Sequence, residues 1–275
     1  MKFWKNTSTL DKFVPELLDT VDAAEADIAV IGGKKIDLAS MPKLKAIFKC
    51  GVGTDNVPFE EATGRGVEVW MPSSGTKQYI FEETANFAVY LIFRMLFNEI
   101  GQVEGWKKQS RGFLGNKKVL VLGQGNIGSH VTRKLKPSVE VLTFDVADNS
   151  MGELPDLMKQ ADVISLHVPL IESTLGFVDA EKLGWMKDRA ALVNTARGAI
   201  VDEDALFVEI QSGRLRAAFD VFWTEPYHGK LKKFHPYSFL MSPHVSSNCE
   251  NFLTGLAEDL RNYLGSKDWS KVTKL

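Results

Sequence analysis

Val119-Leu-Val-Leu-Gly-Gln-Gly-Asn-Ile-Gly128, followed by Val139-Glu-Val-Leu-Thr-Phe-Asp145, is the stretch whose reading decides the fold. Val119 to Leu122 has the length and branching of a buried parallel strand. Gly123, Gly125 and Gly128 follow in the G-x-G-x-x-G spacing, and Asn126 to Leu135 can wind as a helix that Pro137 helps stop. In such a loop the first glycine permits a tight turn and the second lets a pyrophosphate approach the backbone. The third lets helix and strand pack closely. Gly123, Gly125, Asn126, Ile127 and Gly128 then form a phosphate cradle at a helix N-terminus, whose free N–H groups suit an anion.

Three glycines so spaced arise by chance in about one chain in seven at this glycine content, so the context must decide. A second apolar strand, Val139 to Phe144, ends in Asp145, 17 residues after Gly128. An acid at that strand tip can accept hydrogen bonds from a ribose and repels a 2′-phosphate, which predicts NAD in preference to NADP.

The flanking sequence alternates strand and helix, the pattern of parallel α/β sheets. Upstream, strands are expected at Ile28 to Ile31, Ala46 to Lys49 and Val67 to Trp70, with helices at residues 11–21 and 79–99. Downstream, strands are expected at Val163 to His167, Ala191 to Asn194, Ala217 to Val221 and Phe239 to Met241. Glycines punctuate residues 101–118, the expected crossing between domains. The last helical stretch, from Asn248, has no strand of its own to follow. The organisation predicted is a discontinuous substrate domain (residues 1–97 plus 248–275) and a Rossmann cofactor domain (residues 98–247).

A net charge of −2 with 25% charged residues gives no basic excess for nucleic acid and no acidic tail. No apolar run reaches membrane-spanning or signal-peptide length, so a cytoplasmic chain without membrane contact is expected. Cys50 and Cys249 are isolated and read as buried thiols. No His/Cys/Asp cluster has metal-ligand spacing, so no metal is expected.

Polar residues gather where the later strands end. Asn194-Thr-Ala-Arg197-Gly198 closes one, Asp220 to Pro226 the next, and Ser242-Pro-His244 the last. Arg197 offers a planar fork matched to a carboxylate. His244 can exchange a proton near neutral pH. Glu225 can hold the imidazole and favour its protonated form. Each also has a plainer reading: a surface ion pair for Arg197, a turn cap for Glu225, a structural histidine for His244. His167 reads as structural, and His130, His228 and His235 as solvated.

The chain resembles the D-isomer-specific 2-hydroxyacid dehydrogenases, the family that includes phosphoglycerate, glycerate, hydroxypyruvate and D-lactate dehydrogenases. The matching segments are Lys49 to Asn56, Gly123 to Gly128, Ala161 to Pro169, Asn194 to Gly198 with Val201-Asp202, Asp220 to Pro226, and Pro243-His244. The resemblance implies two doubly wound parallel-sheet domains, the smaller flavodoxin-like. It implies an NAD-dependent oxidoreductase moving hydride between NAD(H) and a small D-2-hydroxy acid or 2-oxo acid, with Arg197, Glu225 and His244 catalytic. It further implies that Asp145, His167, Val168, Pro169, Thr195, Ala196, Arg197, Asp220 and His244 line the cofactor. Gly51, Val52 and Gly53, with Arg197 and His244, would meet the substrate, and a homodimer is implied. The sequence departs from the family's wording at Met71 to Gly75, at Phe81 to Thr84 and after His244, and residues 1–10 leave little room for the family's first strand. The alternative is a non-catalytic, NAD-sensing regulator of corepressor type on the same scaffold. Formate oxidation is a third reading, less suited to so short a chain.

Overall fold

The computed structural model of the protein describes residues 1–17, 19–97 and 100–266. These divide into two compact units: Met1–Ile80 together with the segment from Asn248, and Phe81–Ser247.

The first unit is built on a four-stranded parallel sheet: β1 (Phe3–Lys5), β2 (Ile28–Ile31), β3 (Ala46–Lys49) and β4 (Glu68–Trp70), hydrogen-bonded in that order. A strand therefore does fit within the first ten residues. Thr20 adds a single parallel bridge to Phe3, and the Val21 N–H donates to the Phe3 carbonyl at 2.9 Å. Counting that bridge as a rudimentary edge strand gives the order 2-1-3-4-5, the flavodoxin-like arrangement. β2 and β3 are wholly buried, as strands covered on both faces must be. The helix expected over residues 11–21 is replaced by turns and a 3₁₀ segment, Pro15–Leu17. Pro15 has no N–H to donate mid-helix, which explains the break, and Leu18 lies outside the described residues.

Helix α1 (Phe59–Gly64) precedes β4, and α2 (Ser74–Leu96) follows it, beginning five residues before the expected start at 79. Residues 98–99 of the expected helix are outside the described residues. The boundary anticipated after residue 97 falls at Ile80 instead. The physical reason is packing: Ala85, Ala88, Leu91, Ile92 and Met95 of α2 share a core with Val119, Val121, Val163 and Val193.

The second unit carries six parallel strands: β5 (Lys118–Leu122), β6 (Glu140–Phe144), β7 (Val163–Leu166), β8 (Ala191–Asn194), β9 (Arg216–Phe219) and β10 (Phe239–Met241). Their order is β10-β9-β8-β7-β5-β6. The chain reverses direction across the sheet between β5 and β7, which makes that gap the topological switch point where such sheets bind ligands. Helices α3 (Asn126–Leu135), α4 (Leu154–Gln160), α5 (Ala180–Trp185) and α6 (Glu203–Gln211) connect the strands. The second face carries its own core, in which Leu120, Ile164, Leu192 and Phe219 meet Leu154, Leu183 and Leu206. The final helix, α7 (Glu250–Gly265), belongs to the first unit, where Phe252, Leu256, Leu260 and Tyr263 join Phe3, Val30 and Phe48.

Candidate active site

The glycine loop sits at the switch point, directly after β5. Gly123 has φ +96°, a conformation L side chains avoid. A Cβ on Gly128 would lie 1.9 Å from the Gly123 carbonyl oxygen, so the loop can fold back onto α3 only with glycine there. Gly125 has open space over it and precedes the helix start at Asn126. Asp145, just past β6, accepts from the Gln124 N–H at 2.7 Å and the Ala147 N–H at 3.0 Å. These two amides hold its carboxyl below the usual carboxylate range, so it is ionised. The acid at the second strand tip thus also locks the glycine loop, a function its spacing alone does not reveal.

Gly123, Gly125, Asp145, His167, Val168 and Pro169 line one cavity of 430 Å³ with Val146, Met151, Ile171 and Phe177. Apolar walls with one ionised acid suit a heterocycle and its ribose. Burial lowers the His167 pKa to about 3, and its Nε2 lies 2.8 Å from Ser165 Oγ, so it is a neutral, anchored imidazole. Thr195, at the end of β8, is buried and its hydroxyl has no hydrogen-bond partner. An orphaned buried hydroxyl is costly unless a ligand takes it. The cradle, the acid and this hydroxyl all fit a dinucleotide at the carboxyl ends of β5 to β8.

Arg197, Glu225 and His244 come from three separate loops, following β8, β9 and β10. Buried Asn194 builds the first: its Oδ1 accepts from the Ala196 N–H and its Nδ2 donates to the Arg197 carbonyl, both at 2.9 Å. The Arg197 guanidinium donates to the Ala196 carbonyl at 2.7 Å. Glu225 Oε2 lies 2.8 Å from His244 Nδ1, and its Oε1 accepts from the Phe222 N–H at 3.1 Å. Burial pushes the Glu225 carboxyl up, but the His244 hydrogen bond and charge, the Phe222 amide and the Arg197 charge together bring it below its ordinary value. The three expected groups are therefore electrostatically coupled, with Glu225 between a cation and an imidazole.

Asp220 is wholly buried, and its carboxylate is engaged by donors of the chain itself. Its Oδ1 accepts from Ser242 Oγ at 2.6 Å and the Val245 N–H at 2.9 Å, and its Oδ2 from the Ser246 N–H at 2.8 Å. It thereby clamps the loop on both sides of His244, whose φ of +53° is unusual for a side-chain-bearing residue. Sequence alone assigns no individual role to Asn194, Gln124 or Ser242, which the hydrogen bonds above supply. The signal for Asn194 is a polar residue closing an otherwise wholly apolar strand, β8.

Elsewhere, His130 pairs with Glu82 at 2.8 Å and is not simply solvated, and His235 Nδ1 accepts from the Met241 N–H at 3.1 Å. Burial pushes the Cys50 thiol up to about 12, which makes it inert as a nucleophile at neutral pH. The Gly51–Gly53 loop follows β3 in the first unit. Buried Lys49 and Asn56 tie down its flanks: Lys49 donates to the Gly32 carbonyl and to Asn56 Oδ1, and Asn56 donates to the carbonyls of Gly32 and Lys34. Among the described residues no helix is long and apolar enough to cross a membrane, and no group of three His, Cys, Asp or Glu side chains could hold a metal.

Residues 95–246 match the NAD binding domain of the D-isomer specific 2-hydroxyacid dehydrogenases, and residues 8–88 match the catalytic domain of the same family. A glyoxylate reductase of Thermococcus litoralis is 31% identical, over 94% of this chain and 84% of its own. A hydroxypyruvate reductase of Thermotoga maritima is 31% identical over 74% of this chain and 71% of its own. Among solved structures, the Aquifex aeolicus D-lactate dehydrogenase complexed with NAD and lactic acid superimposes with a TM-score of 0.75 at 25% identity, covering 89% of this chain and 83% of that one. With its parallel sheets, its dinucleotide cradle and these matches over both units, the chain belongs to the D-isomer-specific 2-hydroxyacid dehydrogenase family and is an NAD-dependent oxidoreductase of 2-hydroxy acids.

Proposed function

We propose that the protein reduces a small, unphosphorylated 2-oxo acid of the glyoxylate or hydroxypyruvate type, with Arg197, Glu225 and His244 as the catalytic set. The observation that carries this reading is the 2.8 Å bond between His244 Nδ1 and Glu225 Oε2, at the same carboxyl-end edge of the parallel sheet as the dinucleotide cradle. Bound NADH supplies the hydride that C2 of the substrate receives. Arg197 pairs its guanidinium with the substrate carboxylate and steadies the carbonyl oxygen. His244, held through Nδ1, turns Nε2 to that oxygen and gives it a proton as charge develops there. Glu225 stays ionised and orients the imidazole. Gly51, Val52 and Gly53 offer backbone N–H groups as further substrate contacts, and the unit that bears them serves as the substrate domain.

Gly123, Gly125, Asn126, Ile127 and Gly128 hold the pyrophosphate, and Asp145 the adenosine ribose. His167, Val168, Pro169, Thr195, Ala196 and Asp220 border the rest of the cofactor. The proposal includes a homodimer and a cytoplasmic setting. Glyoxylate and hydroxypyruvate are favoured because the relatives bearing those names match along most of their own length. No observation favours the regulator reading. The test is NADH oxidation with glyoxylate, hydroxypyruvate, pyruvate and phosphohydroxypyruvate. Turnover with the first two is expected, and a preference for phosphohydroxypyruvate, or none with any, overturns the proposal.

A further inference from the structure

The loop that bears Glu225 is moored to the segment that leaves Arg197, and two aromatic side chains hold the mooring. Trp223 Nε1 donates to the Val201 carbonyl at 2.6 Å, and the Tyr227 hydroxyl donates to Glu203 Oε1, also at 2.6 Å. The two aromatics stand two residues before and two residues after Glu225. Their acceptors both fall within Val201 to Glu203. That short segment follows Arg197 through a 3₁₀ turn, Gly198–Ile200, and runs directly into α6.

Both ends of these bonds are held. The Ile200 carbonyl accepts from the Val178 N–H at 2.9 Å, and the Asp202 N–H donates to the Val178 carbonyl at 3.0 Å. One side of the extended segment is thus taken, and the Val201 carbonyl faces the other way, toward the indole. The indole stacks on Phe219, with ring centroids 5.7 Å apart at 28°, and tilts against Tyr227 at 5.8 Å. Tyr227 is buried, and its oxygen also accepts from the Leu231 N–H at 3.2 Å. The two loops meet through backbone as well: a Cβ on Gly198, the residue after Arg197, would lie 2.1 Å from the Phe222 carbonyl carbon. Trp223 and Tyr227 therefore fix the Glu225 loop against the Arg197 segment, much as Asp220 fixes the His244 loop.

We propose that Trp223 and Tyr227 are positioning residues for the reaction, setting the spacing between the Arg197 guanidinium and the Glu225–His244 pair. The proposal rests on the catalytic set assigned above. Each aromatic acts through the loop it holds, not through contact with substrate. A substrate carboxylate held by Arg197 puts the carbonyl oxygen at a set distance from the imidazole. A shift of the Glu225 loop therefore costs proton transfer more than ground-state binding.

The test is steady-state NADH oxidation with whichever of the four 2-oxo acids named above wild type reduces fastest. The variants are Trp223→Phe, Tyr227→Phe, Glu203→Ala and the Tyr227→Phe/Glu203→Ala double, with rates counted per NADH-binding site from a fluorescence titration. Trp223→Phe keeps a ring in the stack and removes the N–H donor. Each single variant should lower kcat about tenfold, with KM for the 2-oxo acid and Kd for NADH within about twofold of wild type. The double variant should fall no further than Tyr227→Phe alone, since both changes remove one bond. A purely structural role predicts lower stability in urea with kcat per site unchanged, and that result in Trp223→Phe and Tyr227→Phe overturns the proposal. So does a raised KM with unchanged kcat, or a double variant whose losses multiply. Wild-type turnover and its loss in His244→Ala establish the catalytic set first, so unchanged kcat in the aromatic variants then overturns this inference alone. Absence of wild-type turnover overturns both.

Discussion

Glu225 Oε2 sits 2.8 Å from His244 Nδ1, although the two residues follow different strands, β9 and β10. The bond fixes which ring nitrogen is engaged and leaves the other for chemistry. His244→Ala should reduce kcat by about 10²- to 10⁴-fold while NADH affinity, measured by fluorescence titration, stays near wild type. Near-normal turnover with a 2-oxo acid would refute the role given to His244.

Asp220 is expected to act on turnover through the His244 loop. An amide at this position would turn an NH₂ group toward one of the donors that the carboxylate now accepts from, the Val245 and Ser246 N–H groups and the Ser242 hydroxyl. Asp220→Asn should lower stability by about 2–3 kcal/mol in urea unfolding and cut kcat by about 10²-fold through misplacement of the imidazole. A variant with lost stability and unchanged kcat would confine Asp220 to folding.

At Gly128, even a methyl group would strike the Gly123 carbonyl oxygen, since the nearest distance is 1.9 Å. Gly128→Ala should push the glycine loop off the helix and weaken NADH binding at least about tenfold. Gly125→Ala, where space is open, should leave the fold intact and affect only the cofactor. Equal NADH affinity for Gly128→Ala and wild type would show that the loop tolerates a different path.

Acid stability should report on His167. Its folded pKa of about 3 lies below the unfolded value of about 6.5. Between those values the unfolded chain takes up a proton that the folded protein refuses, so stability falls as pH drops through this window. The slope approaches at most about 1.4 kcal/mol per pH unit. His167→Gln should lose less stability than wild type between pH 7 and 5, and an identical loss in urea titrations would assign the effect elsewhere.

Asp145→Ser should relax the discrimination against NADPH, because the repelling charge is gone. It should also raise the KM for NADH, because the Gln124 and Ala147 amides lose their acceptor. Unchanged KM values for both cofactors would refute the cofactor role.

Local sequence determined a good deal of this protein. The apolar strands, the glycine spacing and the acid 17 residues beyond Gly128 specify a dinucleotide loop because their periods and short-range geometry are properties of adjacent residues. The polar strand ends around Arg197, Glu225 and His244 were equally legible, since a parallel sheet brings all its strand ends to one edge. What tertiary structure decided was partnership at long range. Periodicity assigned the apolar stripe of α2 to some core, but only packing placed residues from Phe81 onward with β5, β7 and β8. Residues 11–21 had the spacing of a helix, yet Pro15 and pairing near Thr20 won locally. Asp220 read as one more polar residue at a strand end, and its clamp on the His244 loop exists because β9 and β10 are neighbours.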